Sequence, residues 1–137
     1  MKIIDDTKLI KDEIQIRIDV FMKEQGFQNE FDDIDQNCIH FVLYEDIAIG
    51  CCRLYYDHQK GSYILGRIAI IKSHRHQQYG SKLVLNAIEH VKKIGGTSLH
   101  LHSQCVAIPF YQQLGFESYG VIDYDENCPH QWLEKEL

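Results

Sequence analysis

No apolar run in the chain approaches the roughly 20 residues of a membrane-spanning helix, and its first residues lack the long apolar segment of a secretory leader. A bilayer span and secretion are therefore not expected. C-x-x-C spacing is missing as well, and the five cysteines, at 38, 51, 52, 105 and 128, are an odd number. That argues against a disulfide framework and predicts reduced thiols in the cytoplasm. There is no G-x-G-x-x-G after a strand pattern and no Walker loop, which disfavours a dinucleotide or ATP enzyme. Positive charge is scarce: 14 Lys+Arg stand against 20 Asp+Glu, a formal net charge of −6. General affinity for nucleic acid or an anionic membrane is not expected, whereas cationic small molecules are compatible with that balance. Repeats, linkers and low-complexity tracts are absent.

What is present is a globular composition, 45% hydrophobic and 25% charged over 137 residues. That is enough for one domain, 1–137, around one core. Residues 64–91 organise it. Ile64-Leu-Gly-Arg-Ile-Ala-Ile-Ile71 is short, apolar and rich in Ile, as suits a buried strand. Leu83, Val84, Ala87, Ile88 and Val91 are spaced for one face of a helix. Between them runs the polar, basic loop Lys72–Ser81. A strand feeding a helix through such a loop offers free backbone N–H groups and the positive end of a helix dipole, a good phosphate site.

The rest of the chain has a legible order. Residues 2–4 fit an edge strand, and Asp6 or Thr7 can cap a following helix. Ile10, Ile14, Ile18, Phe21 and Met22 share one face of that helix, which Gly26 ends. Residues 30–35 are too acidic and short for a core element. Strands at 40–44, 47–56 and 63–71, joined by short turns, form an antiparallel meander. The helix after Gly80 stops at Gly95-Gly96. Residues 98–102 form a strand parallel to 63–71, because a helix separates the two. A short helix follows at 106–114 with Pro109 in its first turn, where the missing N–H costs little. One or two strands, around 117–123 and 131–135, close the chain. The expected fold class is α/β (α+β), a mixed, mostly antiparallel sheet flanked by helices.

Arg75-His76-Gln77-Gln78-Tyr79-Gly80, followed by Ser81, resembles the acyl-CoA signature Arg/Gln-x-x-Gly-x-Gly/Ala of the GNAT acetyltransferases. Gln78 replaces the first glycine. Phe110-Tyr111-Gln112-Gln113-Leu114-Gly115-Phe116 resembles that family's Phe-Tyr-x-x-x-Gly-Phe element. Val20–Gln25, Glu30-x-Asp32-x-x-Asp35, His40, Ser103-Gln104 and Cys128-Pro129-His130 are similar to the small YjcF/ElaA-like branch. The resemblance covers nearly the whole chain. It implies a GNAT-like domain that moves acetyl from acetyl-CoA to a small-molecule primary amine by direct attack. A fold relative that binds acyl-CoA without turnover, as a sensor or partner protein, is the alternative. Neither requires a metal, and either a monomer or a homodimer is compatible.

The chemistry assigns candidate residues. The pyrophosphate of acetyl-CoA suits the N–H groups of Gln77, Gln78, Tyr79, Gly80 and Ser81 and the charge of Arg75. The resemblance implies that the pantetheine arm lies along the backbone of Ile68, Ala69 and Ile70, with Gln104 and Phe110 as further contacts. Such pairing needs an open edge or a splay in the sheet. An amine of pKa about 10.4 is almost wholly charged at neutral pH, so losing its proton matters more than helping a thiolate leave. The resemblance places Tyr111 near the thiol as the candidate acid. His40, His130 and Glu30 are the leading candidates for the base, with Glu24, Asp32 and Asp35 behind them. His100 and His102 share a strand face but lack a third metal ligand.

Overall fold

A computed structural model describes residues 1–137. The strands are β1 (Lys2–Asp6), β2 (Ile39–Tyr44), β3 (Ala48–Asp57), β4 (Ser62–Ile70), β5 (Ser98–Gln104), β6 (Glu117–Asp125) and β7 (Cys128–Glu136). The helices are α1 (Lys11–Arg17), continued as a π-helix (Ile18–Glu24), then α2 (Tyr79–Lys93) and α3 (Ile108–Gln113). The strands form one sheet in the order β1-β2-β3-β4-β5-β7-β6, antiparallel everywhere except between β4 and β5. The α/β class, the meander and the parallel crossover are thus as the sequence predicts. No helix is long and apolar enough to cross a membrane.

Strand alternation divides the core between the two sheet faces. Phe41 and Leu43 of β2 join Leu83, Val84, Ala87, Ile88 and Val91 of α2 on one face. Val42 joins Ile16, Val20 and Phe21 of α1 and its π-turns, with Cys51 and Ala69, on the other. The α2 stripe is the one its spacing predicts.

The first helix departs from expectation twice. It starts at Lys11 with Ile10 at the N-cap and no side-chain cap. Asp6 instead accepts the Lys8 N–H at 2.9 Å in a local turn. Its buried face carries Glu13, Ile16, Arg17, Val20 and Phe21, and Ile10, Ile14, Ile18 and Met22 are only half-buried. Hydrophobic spacing misplaces the face because two of its central residues, Glu13 and Arg17, are charged. The helix ends at Gly26 as expected, with φ +82° there.

The feature that positions the site lies between β4 and β5. They pair only from Tyr63–Leu65 to Leu99–Leu101. Beyond that, β4 bulges: Cys51 of β3 faces Ala69 but Arg53 faces Gly66, one residue more on β4 than on β3. Arg67 takes up the extra residue at φ +51°. Such a bulge bends its strand. Here β4 and β5 part into a V whose inner edges carry free backbone groups.

Candidate active site

A pocket of about 330 Å³ occupies the V. Leu65, Gly66, Arg67 and Ile68 line it from β4; Leu101, His102, Ser103 and Gln104 from β5; Phe21 from the π-helix. Helices with i→i+5 bonds are rare and recur at functional sites. This one places Glu24 and Gln25 at the rim. Gln104 Nε2 donates to Gln25 Oε1 at 2.7 Å across the mouth of the V. Ala69 and Ile70 pair with Cys51 and Gly50 on the β3 side only, so their other side faces the seam.

The loop at the end of β4 leaves a run of backbone donors free. None of the backbone N–H groups of residues 76–81 donates to a backbone carbonyl. His76 and Gln78 have φ of +63° and +66°. Left-handed residues among right-handed ones turn successive N–H groups to one side, a concavity that favours anions. Gln78 therefore keeps the conformation that glycine adopts most cheaply, at a cost of about 1 kcal/mol. The Tyr79 hydroxyl donates to Glu45 at 2.8 Å, so only its N–H is directed to the loop's purpose. Arg75 Nε holds the Ile70 carbonyl at 2.9 Å, and Nη2 donates to Glu24 at 2.7 Å. The guanidinium is anchored at the tip of β4, and its hydrogen bond holds the Glu24 carboxyl below the usual range.

Gly80 matters for a close approach rather than for its φ. A Cβ there would stand 3.3 Å from Cζ of Phe110. Phe110 thus packs over the first turn of α2 and, at 5.0 Å between rings, against Tyr111. Phe110 does not line the pocket, whereas Tyr111 does. Tyr111 is buried, its hydroxyl has no hydrogen-bond partner, and burial pushes its pKa above the usual phenol range.

The acidic stretch turns out to be a core element. Arg17, with no exposed surface, donates to Glu30 Oε2 at 2.8 Å, to Glu13 at 2.8 Å and to both Asp35 oxygens at 2.7 and 3.0 Å. Arg53 donates to Asp32 at 2.6 Å and Asp35 at 2.9 Å. Burial pushes the Asp35 carboxyl up, but the two guanidiniums outweigh it and hold it at about 2. His40 belongs to this network. Its Nδ1 lies 3.0 Å from Glu13 and its Nε2 2.8 Å from the Asp35 carbonyl. Burial works against charging this ring, yet Glu13 and the Asp35 carbonyl raise its pKa overall. With both nitrogens occupied and no place in the pocket lining, His40 has the position of a structural residue. Asp35, Cys38 and His40 approach one another closely enough for a metal, within 4.8 Å, but two guanidiniums already hold the carboxylate.

Glu30 and His130 do line the pocket. Glu30 is almost wholly buried, and its Oε2 lies 2.8 Å from Nε of both Arg17 and Arg67. Burial nonetheless holds its carboxyl above the usual range, with Arg67 and Arg17 pulling it down. His130 Nδ1 lies 2.9 Å from the Cys128 carbonyl. A carbonyl only accepts, so Nδ1 bears the proton and Nε2 the lone pair.

Several lining residues escaped the sequence analysis. Arg67 carried no motif, and the signal of its bulge is visible only in the register. Glu126 and Asn127, at φ +48° and +68°, make the tight β6–β7 turn. Glu126 reaches back to accept the N–H groups of Gln28 and Asn29 at 2.8 and 2.9 Å. This strap fixes residues 27–30, including Phe27 and Asn29 of the lining, over the pocket.

Comparison with known proteins gives a consistent result. Residues 9–116 match the model of the acetyltransferase (GNAT) family. YjcF of Bacillus subtilis, an uncharacterized N-acetyltransferase, is 30% identical over 132 residues, which are 93% of this chain and 92% of that protein. Among solved structures, ElaA of Escherichia coli superposes with a TM-score of 0.85 at 21% identity, covering 98% of this chain and 99% of that one. An aminoglycoside 6'-N-acetyltransferase complexed with coenzyme A superposes at 0.77 with 16% identity, covering 99% and 97%.

Proposed function

The chain belongs to the GNAT acetyltransferase family, and on that premise we propose that it transfers acetyl from acetyl-CoA to the primary amine of a small molecule. The observation that carries this reading is the alignment of two features on one edge. The V between β4 and β5 offers free strand edges, and the loop closing β4 presents the unpaired N–H groups of residues 76–81. A strand-like arm ending in a pyrophosphate matches both. Ile68, Ala69 and Ile70 would flank the arm. Gln77, Gln78, Tyr79, Gly80 and Ser81 would bind the pyrophosphate through their N–H groups, with Arg75 beside them. Gln104 sits where the arm meets the pocket, and Phe110 supports the loop through Gly80.

The acceptor side is the pocket under the Glu126 strap. Its 330 Å³ suits a small molecule. A primary amine enters almost wholly as ammonium and must lose a proton before its nitrogen attacks the thioester carbon. His130 Nε2, with its lone pair, and Glu30, whose burial favours proton uptake, are the candidates of the sequence analysis that reach this pocket. The Tyr111 hydroxyl, protonated and without a partner, is suited to donate to the departing thiolate.

The test is release of free thiol from acetyl-CoA with a panel of small amines, alongside calorimetric binding of acetyl-CoA. Amine-dependent thiol release is expected. Binding without turnover on any amine would favour the non-catalytic acyl-CoA binder instead. No binding at millimolar acetyl-CoA would remove both.

A further inference from the structure

The pocket contains a second imidazole that the assignment above does not use. His102 of β5 lines it. Its Nε2 lies 2.7 Å from Asp123 Oδ1. Its ring stacks on His130 at 4.8 Å and 28°, and on Trp132 at 4.8 Å and 27°. Asp123 gets there through an irregularity in β6. Tyr119 pairs with Trp132 and Asp123 with His130, so β6 carries two more residues than β7 between these pairs. Gly120 turns the excursion at φ +73°. The result is a carboxylate aimed across β7 at a histidine of β5, as bulges beside active sites can arrange.

We propose that His102, with Asp123 as its positioning residue, takes the proton from the acceptor ammonium. This rests on the reading that an amine is acetylated in this pocket. An ionised carboxylate only accepts, so Asp123 fixes the proton on His102 Nε2 and leaves the Nδ1 lone pair free. When Nδ1 takes a proton, the new charge faces Asp123 directly, which is the role a carboxylate plays beside a catalytic imidazole. His130 has only a carbonyl at its Nδ1. Of the two stacked rings only His102 faces a carboxylate, which would offset a charge formed on it. The bond to His102 also holds the Asp123 carboxyl below the usual range. Other charged groups surround the pair. Lys60 lies 4.0 Å from the Trp132 ring, and His100 faces Glu134 further along the sheet. Asp125, Glu30 and Arg67 line the same pocket.

The step balances. The ammonium gives one proton to His102 Nδ1. The neutral nitrogen forms the C–N bond, the adduct expels the thiolate as the C–S bond breaks, and the second nitrogen proton replaces the one Tyr111 donates to sulfur. His102 returns its proton to water past Asp123, which is 52% exposed. One amide, one thiol and one free proton result.

The test compares pH–rate profiles of wild type, His102→Phe, Asp123→Asn and His130→Phe on one amine, with nitrogen NMR of both imidazoles in the wild type. His102→Phe keeps a ring in the stack. It should lose on the order of 10²-fold in kcat, with KM for acetyl-CoA little changed. Asp123→Asn should lower the rate and move the acidic limb to lower pH. NMR should show His102 as the Nε2–H tautomer. Full activity in His102→Phe, an unmoved limb in Asp123→Asn, or an Nδ1–H tautomer of His102 would overturn the assignment while leaving acetyl transfer intact. A wild type that turns over no amine would overturn both.

Discussion

Replacing Arg17 by Met should destabilise the protein severely and in a pH-dependent way. The guanidinium has no exposed surface and is the shared partner of Glu13, Glu30 and Asp35. Removing one partner of a buried ion pair costs about 3–5 kcal/mol, because the other charge stays buried. Arg53 still holds Asp35, Arg67 still holds Glu30 and His40 still holds Glu13. The loss should therefore fall near the low end, about 3 kcal/mol. An unfolding entropy of about 2.1 cal/mol/K per residue, over 137 residues, converts this to a Tm lower by about 10 °C. Arg17 is one of the two guanidiniums that hold the Asp35 carboxyl low in the wild type, so part of the stability that the wild type loses on acidification is already missing from the variant, and the gap narrows as pH falls. Calorimetry at neutral and at mildly acidic pH reads both effects. A Tm loss under about 3 °C, or a gap that widens on acidification, would refute the account of Arg17 as the hub.

Other outcomes can be stated briefly. Tyr111→Phe should lower kcat more than it raises KM for acetyl-CoA, at the low end of the ~10²–10⁴-fold range of acid–base groups, since a thiolate leaves easily; an unchanged kcat would return Tyr111 to packing. Gln78→Gly relieves a left-handed strain of about 1 kcal/mol but loosens the unfolded chain by a similar amount. Thermal stability should hardly move, and acetyl-CoA affinity, read by titration at fixed salt, should change less than about tenfold. His40 is raised, so the stability it contributes is full below the ordinary histidine pKa and is lost as pH climbs through its folded value. Asp35, at about 2, contributes above the ordinary aspartate pKa and is lost as pH falls through that value. Urea melts should show the first loss on the alkaline side, and Glu13→Gln should flatten it.

The elements were legible because most obey one periodicity at a time. The α2 stripe, the meander, the Gly26 and Gly95-Gly96 stops and the parallel β4–β5 pair all follow from local spacing. The loop after β4 stood out as a motif, and Gln78 there adopts a left-handed shape that it tolerates poorly. Legibility fails where a charged group takes an apolar residue's place. Glu13 and Arg17 hide the buried face of α1, and the same cluster makes residues 30–35 look like surface. His40, beside that stretch in sequence, looked like a candidate base and is instead locked within it. His102 read as one residue of a half-buried strand face without a third metal ligand, because its partner Asp123 is set by a β6 excursion that no spacing rule describes.

The V has one further consequence. In an ordinary sheet the strand edges open to foreign chains lie at the perimeter, on β1 and β6. Here two more lie in the middle of the molecule, along the inner sides of β4 and β5. Unpaired edges are templates for association. The Gln25–Gln104 bond and the Glu126 strap are therefore latches as well as walls. They tie segments beside the gap to one another through hydrogen bonds. Loosening both latches would expose the gap to self-association before the core itself came apart, and a filled gap would leave the protein with nothing sticky at its centre.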